Sequence, residues 1–132
     1  MAAADSKESE LAVGANDYAD CRVVTVSGRI DHTNSDRFLA ELSSHADGVA
    51  EGGGLVADLS KLEFITSAGL RALLLAQKTV QASGGKLHVA GIGGVVKEVF
   101  RISKFDALFS VADSTGEAVA KVSPAAAEAY RG

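Results

Sequence analysis

The sequence predicts an α/β fold, with one central and largely parallel β-sheet whose strands are joined by helices. Short runs rich in Val, Leu and Ile alternate along the chain with longer stretches in which apolar residues recur every three or four positions. Hydrophobic residues make up 47% of the 132 residues and aromatic residues only 5%, so we expect an aliphatic core. A chain of this length is sufficient for one domain with its own core.

The two ends of the chain differ in composition from its middle. Residues 1–9 are small and polar and predict a flexible N-terminal arm. The alanine-rich residues 123–132 predict a C-terminal tail, which could extend the last helix. The folded domain is therefore predicted at residues 10–122.

The first part of the domain predicts two strands followed by a helix. We expect a first edge strand at residues 10–15, with Asn16 and Asp17 as turn residues after it. The β-branched residues of segment 21–27 predict the second strand. A helix is predicted over residues 35–46, because several possible capping residues precede an amphipathic pattern.

The third strand is predicted at residues 55–59, an apolar run that follows three glycines and is typical of a buried strand. A polar turn through Asp58, Ser60 and Lys61 is expected to end it. Asp58 then lies at the carboxyl end of a strand, where functional groups gather in an open α/β sheet.

The central helix is predicted to begin near Thr66 and Ser67, two residue types that favour the N-cap position. Its apolar stripe consists of Leu70, Leu73, Leu74, Ala76 and Val80, and the glycines that follow end the helix. Leu75 lies about 200° around the helix from Leu73, at roughly 100° per residue. Leu75 is therefore a candidate for an exposed apolar residue, unless another element of the fold covers it.

The rest of the domain predicts two further strands and two further helices. Residues 86–90 and 107–111 are expected to form strands, and residues 95–102 a short helix. The apolar side of this short helix is expected to consist of Val95, Val96, Val99 and Phe100. Ser114 and Glu117 have the spacing of a capping box and predict the start of the last helix.

The charge and composition of the chain argue against several classes of function. The net charge is −4 and Lys and Arg are not clustered, which is atypical of a nucleic-acid-binding protein. No apolar run approaches the roughly 20 residues of a membrane span, so we expect no membrane insertion. The single cysteine excludes an internal disulfide, and the first ten residues lack the features of a signal peptide. These properties predict a cytoplasmic protein.

No cofactor, metal site or catalytic site is predicted. The chain has neither a P-loop motif nor a nucleophile elbow, and the glycines of segment 91–94 lack the spacing of a dinucleotide-binding loop. His32, His45 and His88 are scattered, so a metal site is not expected. Cys21 lies in or at the edge of a predicted strand and is interpreted as structural.

One group of side chains remains that could carry a function. Ser67 is predicted at the start of the central helix, where first-turn amides and the helix dipole favour a phosphate group. Asp31 follows the second predicted strand, and Asp58 ends the third. If these strands are parallel neighbours, both carboxylates lie at the same sheet edge as Ser67. The alternative is that Ser67 is only an N-cap residue and Asp31 only a cap or turn former.

Five segments, in order along the chain, match the motifs of a known family. They are residues 26–31 with Thr33, then 56–60, 64–70, 84–87 and 95–100. Together they resemble the STAS domain of bacterial anti-sigma factor antagonists, over about residues 10–120. The resemblance implies a STAS fold, with a mixed central sheet of four to five strands and about four helices.

The resemblance implies a regulatory protein without catalytic activity. In this family, a serine at the start of the central helix is phosphorylated by a GHKL-type kinase that is also an anti-sigma factor, and a PP2C-like phosphatase reverses the modification. The unphosphorylated form captures the kinase and frees its sigma factor. By position, Ser67 matches the phosphoacceptor, while Asp31 and Asp58 match the acidic residues after the second and third strands.

The chain departs from the frequent family pattern at two positions. Thr66 stands where an acidic residue usually precedes the acceptor, and Ala68 stands where a second hydroxyl would follow. Thr66 is therefore a rival phosphoacceptor, but the preserved spacing to Gly69 favours Ser67. The implied output is control of a sigma factor, with secretion or biofilm formation as alternatives.

The resemblance and the expected exposure together predict a partner-binding surface. It consists of Asp31, Thr33, Asp58, Ser67, Ala68, Gly69, Leu70, Arg71 and Leu75.

Two alternative functions come from other classes of protein. One is a STAS subunit of a transport complex that is bound to an ATPase and never phosphorylated. The other is a small enzyme that uses Ser67 and Asp31, against which the missing histidine motif argues.

Overall fold

The computed structural model describes residues 11–49 and 52–131, so the arm predicted at residues 1–9 lies outside the described residues. A five-stranded mixed sheet forms the centre of the domain. Its strands are β1 (Leu11–Tyr18), β2 (Cys21–Ile30), β3 (Gly54–Ile65), β4 (Lys86–Ala90) and β5 (Ser110–Ala112). The α-helices of the described residues are α1 (Ser35–Ala46), α2 (Ser67–Ala82), α3 (Gly94–Ile102), α4 (Thr115–Val122) and α5 (Pro124–Arg131).

The strands lie side by side in the order in which they occur along the chain. β1 pairs antiparallel with β2, whereas β2, β3, β4 and β5 run parallel to one another. A helix lies between each parallel pair in the sequence, since parallel neighbours need a long crossover connection. The predicted α/β class and the largely parallel sheet are thus confirmed.

The turn predicted at Asn16 and Asp17 is wrong. Both residues lie in β1, where they pair with Val23 and Arg22 of β2. The Arg22 guanidinium contacts the Asp17 carboxylate at 2.6 Å, from Nε to Oδ1, so these polar side chains form a cross-strand ion pair. The chain reverses instead after β1, where Ala19 has a positive φ of 58°.

β3 is much longer than predicted, because the polar residues that follow residue 58 remain part of the strand. Two irregularities in its pairing with β2 absorb the extra residues. The Asp58 carboxylate accepts hydrogen bonds from the Ser60 amide at 3.0 Å and from the Ser60 hydroxyl at 2.7 Å. Because Asp58, Ser60 and Lys61 all lie within β3, which ends at Ile65, the turn predicted through them is wrong.

The hydrophobic side chains form two clusters, one on each face of the sheet. The larger cluster joins β1 to β4 with α1, α2 and α3, and it contains Phe38, Leu73 and Phe100. The smaller cluster joins β2 to β5 with α4 and α5. The neighbouring residues Val23 and Val24 of β2 enter opposite clusters, because successive side chains of a strand point to opposite faces.

α3 and the segment after it differ from the prediction. The buried residues of α3 are Val96 and Phe100, whereas Val95 is 55% exposed. Val95 lies about 100° around the helix from Val96, which turns its side chain away from the sheet. The strand predicted at residues 107–111 begins later, as β5, because a 3-10 helix at Phe105–Ala107 precedes it.

Most of the predicted C-terminal tail forms a helix of its own, Pro124–Arg131. α5 buries Ala126 in the smaller cluster, and the Tyr130 ring lies edge-on to the Tyr18 ring of β1, with 5.1 Å between the ring centres. The capping box predicted at Ser114 and Glu117 is confirmed. The Glu117 amide donates a hydrogen bond to the Ser114 hydroxyl at 3.2 Å, which caps α4.

Candidate functional site

The carboxyl ends of β2 and β3 meet at one edge of the sheet and position the candidate site. Ile30 and Ile65, the last residues of these strands, pair in parallel register. The Thr66 amide donates a hydrogen bond to the Ile30 carbonyl at 3.0 Å, which extends this pairing beyond the strands. Asp31 and Ser67 each follow one partner of that bond, so they leave the same sheet edge as predicted.

Ser67 is the first residue of α2, and its side chain is exposed. Thr66 is the N-cap residue, and its half-buried hydroxyl donates to the Ile30 carbonyl at 3.4 Å instead of capping the helix. The first-turn amides of a helix have no acceptor within the helix, and the first turn of α2 contains no acidic residue. An anionic group on Ser67 would therefore meet N–H donors and the positive end of the helix dipole.

Gly69 fixes how closely α2 approaches the strand ends. A Cβ atom added there would lie 2.7 Å from a methyl carbon of Ile30 and 2.7 Å from a side-chain carbon of Ile65. Gly69 is buried, and Leu70 is only 1% exposed. The expectation that Gly69 and Leu70 belong to the partner-binding surface is therefore corrected, since both residues position α2 from within the core.

The Asp31 side chain organises the loop between β2 and α1. Its Oδ1 atom accepts hydrogen bonds from the Thr33 amide at 2.9 Å and from the Thr33 hydroxyl. The Asp31 amide donates to the Asn34 side-chain oxygen at 2.9 Å, and the Asn34 side-chain amide donates to the Arg29 carbonyl at 2.9 Å. Asp31 is half-buried and Thr33 is exposed, so this ordered loop presents both side chains at the sheet edge. The turn-forming interpretation of Asp31 is thus compatible with a role in the site.

Asp58 lies away from the other candidate residues. It pairs with Thr25 and Ala90 near the middle of β3, and the strand continues to Ile65 before Ser67 is reached. Its partner Thr25 lies five residues before Ile30, so at about 3.3 Å per residue Asp58 lies about 16 Å from the strand ends. The prediction that Asp58 joins Ser67 at one sheet edge is wrong, because polar residues that resemble a turn belong to the strand.

The outward side of α2 continues the site along the helix. Arg71 and Lys78 are exposed, as is Leu75 at 41%, which confirms the expected exposure of Leu75. Ala68 is half-buried beside Ser67. The exposed residues form a strip that begins at the Ser67 hydroxyl and combines positive charge with one large apolar side chain.

Two further residues of the site have no assigned role in the sequence prediction. Asn34 is 7% exposed and connects the Asp31 amide to the Arg29 carbonyl, although the sequence marks it only as a possible cap. The Arg29 guanidinium lies over the Phe64 ring, 5.0 Å from its centre. The contact of Arg29 with Phe64 depends on the pairing register of β2 and β3, in which these two residues are partners, and no local sequence signal indicates that register.

The titratable groups of the fold do not assemble a second centre among the described residues. No group of three or more His, Cys, Asp and Glu side chains there could hold a metal ion. Burial raises the pKa of the Cys21 thiol to about 11, with smaller contributions from Asp20 and Asp17. Within residues 11–49 and 52–131, none of the helices has the length and apolar character that a membrane crossing needs.

Known proteins share both the sequence pattern and the fold of this chain. The family model described as the STAS domain matches residues 13–118. BtrV of Bordetella bronchiseptica, which carries the name anti-sigma factor antagonist, is 35% identical over 98 residues. The matched region covers 74% of this chain and 83% of BtrV.

Solved structures agree with this assignment at the level of the fold. An anti-sigma factor antagonist from Mycobacterium paratuberculosis has a TM-score of 0.75 and 23% identity, over 85% of this chain and 93% of that one. The phosphorylated form of SpoIIAA, a Bacillus cell fate determinant, has a TM-score of 0.61 and 19% identity, over 85% of this chain and 100% of that one. Because the family match covers most of its length and the mixed sheet agrees with these structures, the chain belongs to the STAS domain family.

Proposed function

We propose that this protein is an anti-sigma factor antagonist that acts by partner switching, with Ser67 as its phosphoacceptor. The observation that carries the proposal is an exposed hydroxyl on the first residue of α2, beside the ordered Asp31 loop. The name of the relative BtrV supports this role, as do solved structures of SpoIIAA in an unphosphorylated and a phosphorylated form. The protein acts by binding rather than by catalysis.

The surroundings of the two neighbouring hydroxyls favour Ser67 over Thr66 as the acceptor. A kinase must align the γ-phosphate of ATP with the attacking oxygen, which requires an accessible hydroxyl. The Thr66 hydroxyl is half-buried and directed to the Ile30 carbonyl, so phosphorylation there would break a hydrogen bond at the strand end. The Ser67 side chain is exposed and adjoins the free amides of the first turn.

The proposed partner of the unphosphorylated form is an anti-sigma factor that is also a GHKL-type serine kinase. In the modification step, the Ser67 oxygen forms a bond to the γ-phosphorus of ATP, the bond to the ADP oxygen breaks, and the hydroxyl proton passes to a base of the kinase. A PP2C-like phosphatase then hydrolyses the phosphoserine and restores the hydroxyl. While the antagonist occupies the anti-sigma factor, the sigma factor is free.

Phosphorylation changes the binding surface and leaves the fold unchanged. The modification adds about −1.5 to −2 charges and three acceptor oxygens beside Asp31. α2 accommodates this group, because an anion at a helix N-terminus is stabilised by about 0.3–1 kcal/mol. A partner surface that fits a neutral hydroxyl loses affinity through like-charge repulsion and desolvation. A loss of about 3 kcal/mol would weaken binding about a hundredfold.

The proposal is tested by capture followed by in vitro modification. Tagged Ser67→Ala protein is expressed in cells of the organism that carries this protein. It is then pulled down, and the captured proteins are identified by mass spectrometry. A captured GHKL-type protein is then purified and incubated with ATP and the wild-type chain. We expect the intact mass to increase by one phosphate, and peptide mapping to place that phosphate on Ser67.

Matched variants separate the two candidate acceptors. Ser67→Ala should abolish the mass increase, whereas Thr66→Ala should retain it. A phosphate found on Thr66 would contradict the proposed role of Ser67. So would the absence of phosphate from this chain after incubation with a captured kinase that phosphorylates itself.

A further inference from the structure

We propose that Arg71 is the internal binding partner of the phosphate on phosphorylated Ser67. The inference rests on the proposed phosphorylation and concerns the contacts that the phosphate makes within this chain. Ser67 and Arg71 lie four residues apart on α2, and both side chains are exposed. Residues at this spacing are neighbours on one side of a helix, with Cβ atoms about 5–6 Å apart.

The direction of the helix favours a contact from Arg71 to Ser67. Side chains of an α-helix incline toward its N-terminus, so the long Arg71 side chain extends back over the first turn. An acidic group that precedes a basic group at this spacing is the favourable order for a side-chain pair. The guanidinium also presents a planar fork of N–H donors that matches two phosphate oxygens.

Arg71 is available for this contact because none of the carboxylates that the structure describes binds it in the unmodified protein. Its side chain has no hydrogen-bond or ion-pair partner among the described residues. Other arginines of the chain are already paired: Arg22 with Asp17, Arg37 with Glu41, and Arg101 with Glu98. Because α2 contains no acidic residue, a phosphate on Ser67 would meet an unpaired guanidinium one turn away.

Formation of the pair changes the outward side of α2 in two ways. In the unmodified protein, this side offers a neutral Ser67 hydroxyl and an unpaired positive charge on Arg71. After phosphorylation, the same positions carry a net negative charge, and the guanidinium is bound by the phosphate. A group of the partner that contacts Arg71 is therefore displaced by a contact within the chain itself.

The experiment measures the second ionisation of the phosphate in protein that carries phosphoserine at position 67. Phosphoserine is installed during translation, so that no kinase is required. The ordinary pKa of this ionisation is about 6, and a 31P NMR titration follows it directly. We expect the titration midpoint of the otherwise unaltered chain to lie about 0.5 pH unit below that of the Arg71→Gln variant, because the guanidinium stabilises the dianion.

Lys78→Gln is the matched control for the loss of one positive charge. Lys78 lies on the same side of α2, but about 16 Å from Ser67 along the helix axis. Its removal should shift the midpoint far less than the removal of Arg71. Arg29 and Asp31 at the neighbouring strand end are present in every variant, so their influence cancels in the comparison.

The inference would be overturned if the titration midpoint of Arg71→Gln equalled that of the unaltered chain. It would also be overturned if Lys78→Gln shifted the midpoint as far as Arg71→Gln does. Circular dichroism checks that both variants are folded, which we expect because glutamine is a good helix former at an exposed position. The proposed function fails by a different result, namely no phosphate on Ser67 after incubation with the captured kinase. That failure would leave the NMR titration readable.

Discussion

The Thr66 amide donates a hydrogen bond to the Ile30 carbonyl at 3.0 Å, and this contact sets the start of α2 against the end of β2. Both partners belong to the backbone, so substitutions of the Thr66 or Ser67 side chain leave the contact in place. The frame that positions Ser67 therefore does not depend on the chemical state of Ser67. Variants of this residue should report on binding rather than on folding.

The Ser67→Asp variant should keep the fold and bind the captured anti-sigma factor at least tenfold more weakly than the wild-type chain. The new carboxylate lies beside Asp31 and brings a charge to a surface that fits a hydroxyl. Isothermal titration calorimetry with the purified partner measures the difference, and Ser67→Ala should bind like wild type. Equal affinity of Ser67→Asp and wild type would argue against the charge mechanism.

The Gly69→Ala variant should lower the free energy of unfolding by about 1–3 kcal/mol. Its methyl group would lie 2.7 Å from carbon atoms of Ile30 and Ile65, which are both 0% exposed, so buried core side chains would have to shift. Urea denaturation measures the loss. Gly14→Ala is the matched control, because an added Cβ at that position meets no atom within 4 Å. A Gly69→Ala protein as stable as this control would show that the strand ends can adapt.

The Asn34→Ala variant should lower the free energy of unfolding by about 1–3 kcal/mol, because it removes the bond from the Asn34 side chain to the Arg29 carbonyl of β2 and the bond from the Asp31 amide to that side chain. Hydrogen–deuterium exchange should also show faster exchange of the Asp31 amide, which loses its acceptor. Asn16→Ala, at an exposed position of β1, should change stability by about 0.5 kcal/mol at most. Unchanged exchange at Asp31 would mean that the loop is held by other contacts.

The stability of the fold should fall as the pH falls below about 6.5, in part through His88. Burial, together with the charges of Lys121 and Lys86, lowers the pKa of His88 below its usual value. The unfolded chain, in which histidine titrates near ~6.5, therefore binds the proton more readily than the folded protein. The stabilisation is complete above that pH and is lost as the pH falls through the folded pKa.

Urea unfolding at pH 7.5 and pH 5.5 would detect the contribution of His88. The difference between the two values should shrink in His88→Gln and persist in His32→Gln, which alters an exposed histidine. An unchanged difference in His88→Gln would assign the effect to other groups.

The Cys21 thiol should be unreactive in the folded protein. It is 1% exposed, and burial raises its pKa to about 11, so both access and thiolate formation are suppressed at pH 8. With protein denatured in guanidinium chloride, Ellman's reagent should release one equivalent of chromophore. With native protein, it should release far less over the same reaction time. A full equivalent released at once from the native protein would contradict the buried position.

Elements whose hydrophobic period is regular are predicted with correct bounds, as for α1 at 35–46 and β4 at 86–90. β3 shows where this reasoning fails. β4 pairs with β3 only as far as Asp58, and beyond that residue β3 pairs with β2 alone. Ser60, Lys61 and Glu63 are exposed in this part of the strand, so polar residues occur there without ending it.

The candidate site is predictable where it depends on chain order and unpredictable where it depends on register. Ser67 and Asp31 follow the ends of two strands, and parallel pairing is enough to bring such positions to one edge. The contact of Arg29 with Phe64 requires side chains from paired register positions of β2 and β3, whereas the hydrogen bonds of Asn34 depend on the conformation of the loop after β2. A single sequence does not contain that information, because a shift of one residue reverses the face of each side chain.

The close approach of α2 to the strand ends at Gly69 has a consequence for the speed of regulation. A helix held this tightly has little room to tilt or slide, so under the proposed function no slow rearrangement would separate phosphorylation of Ser67 from its effect on binding. In the proposed partner switch, the time needed to change state would then be set by kinase and phosphatase turnover and by the lifetime of the complex. Under that proposal, the protein could be reset repeatedly without unfolding.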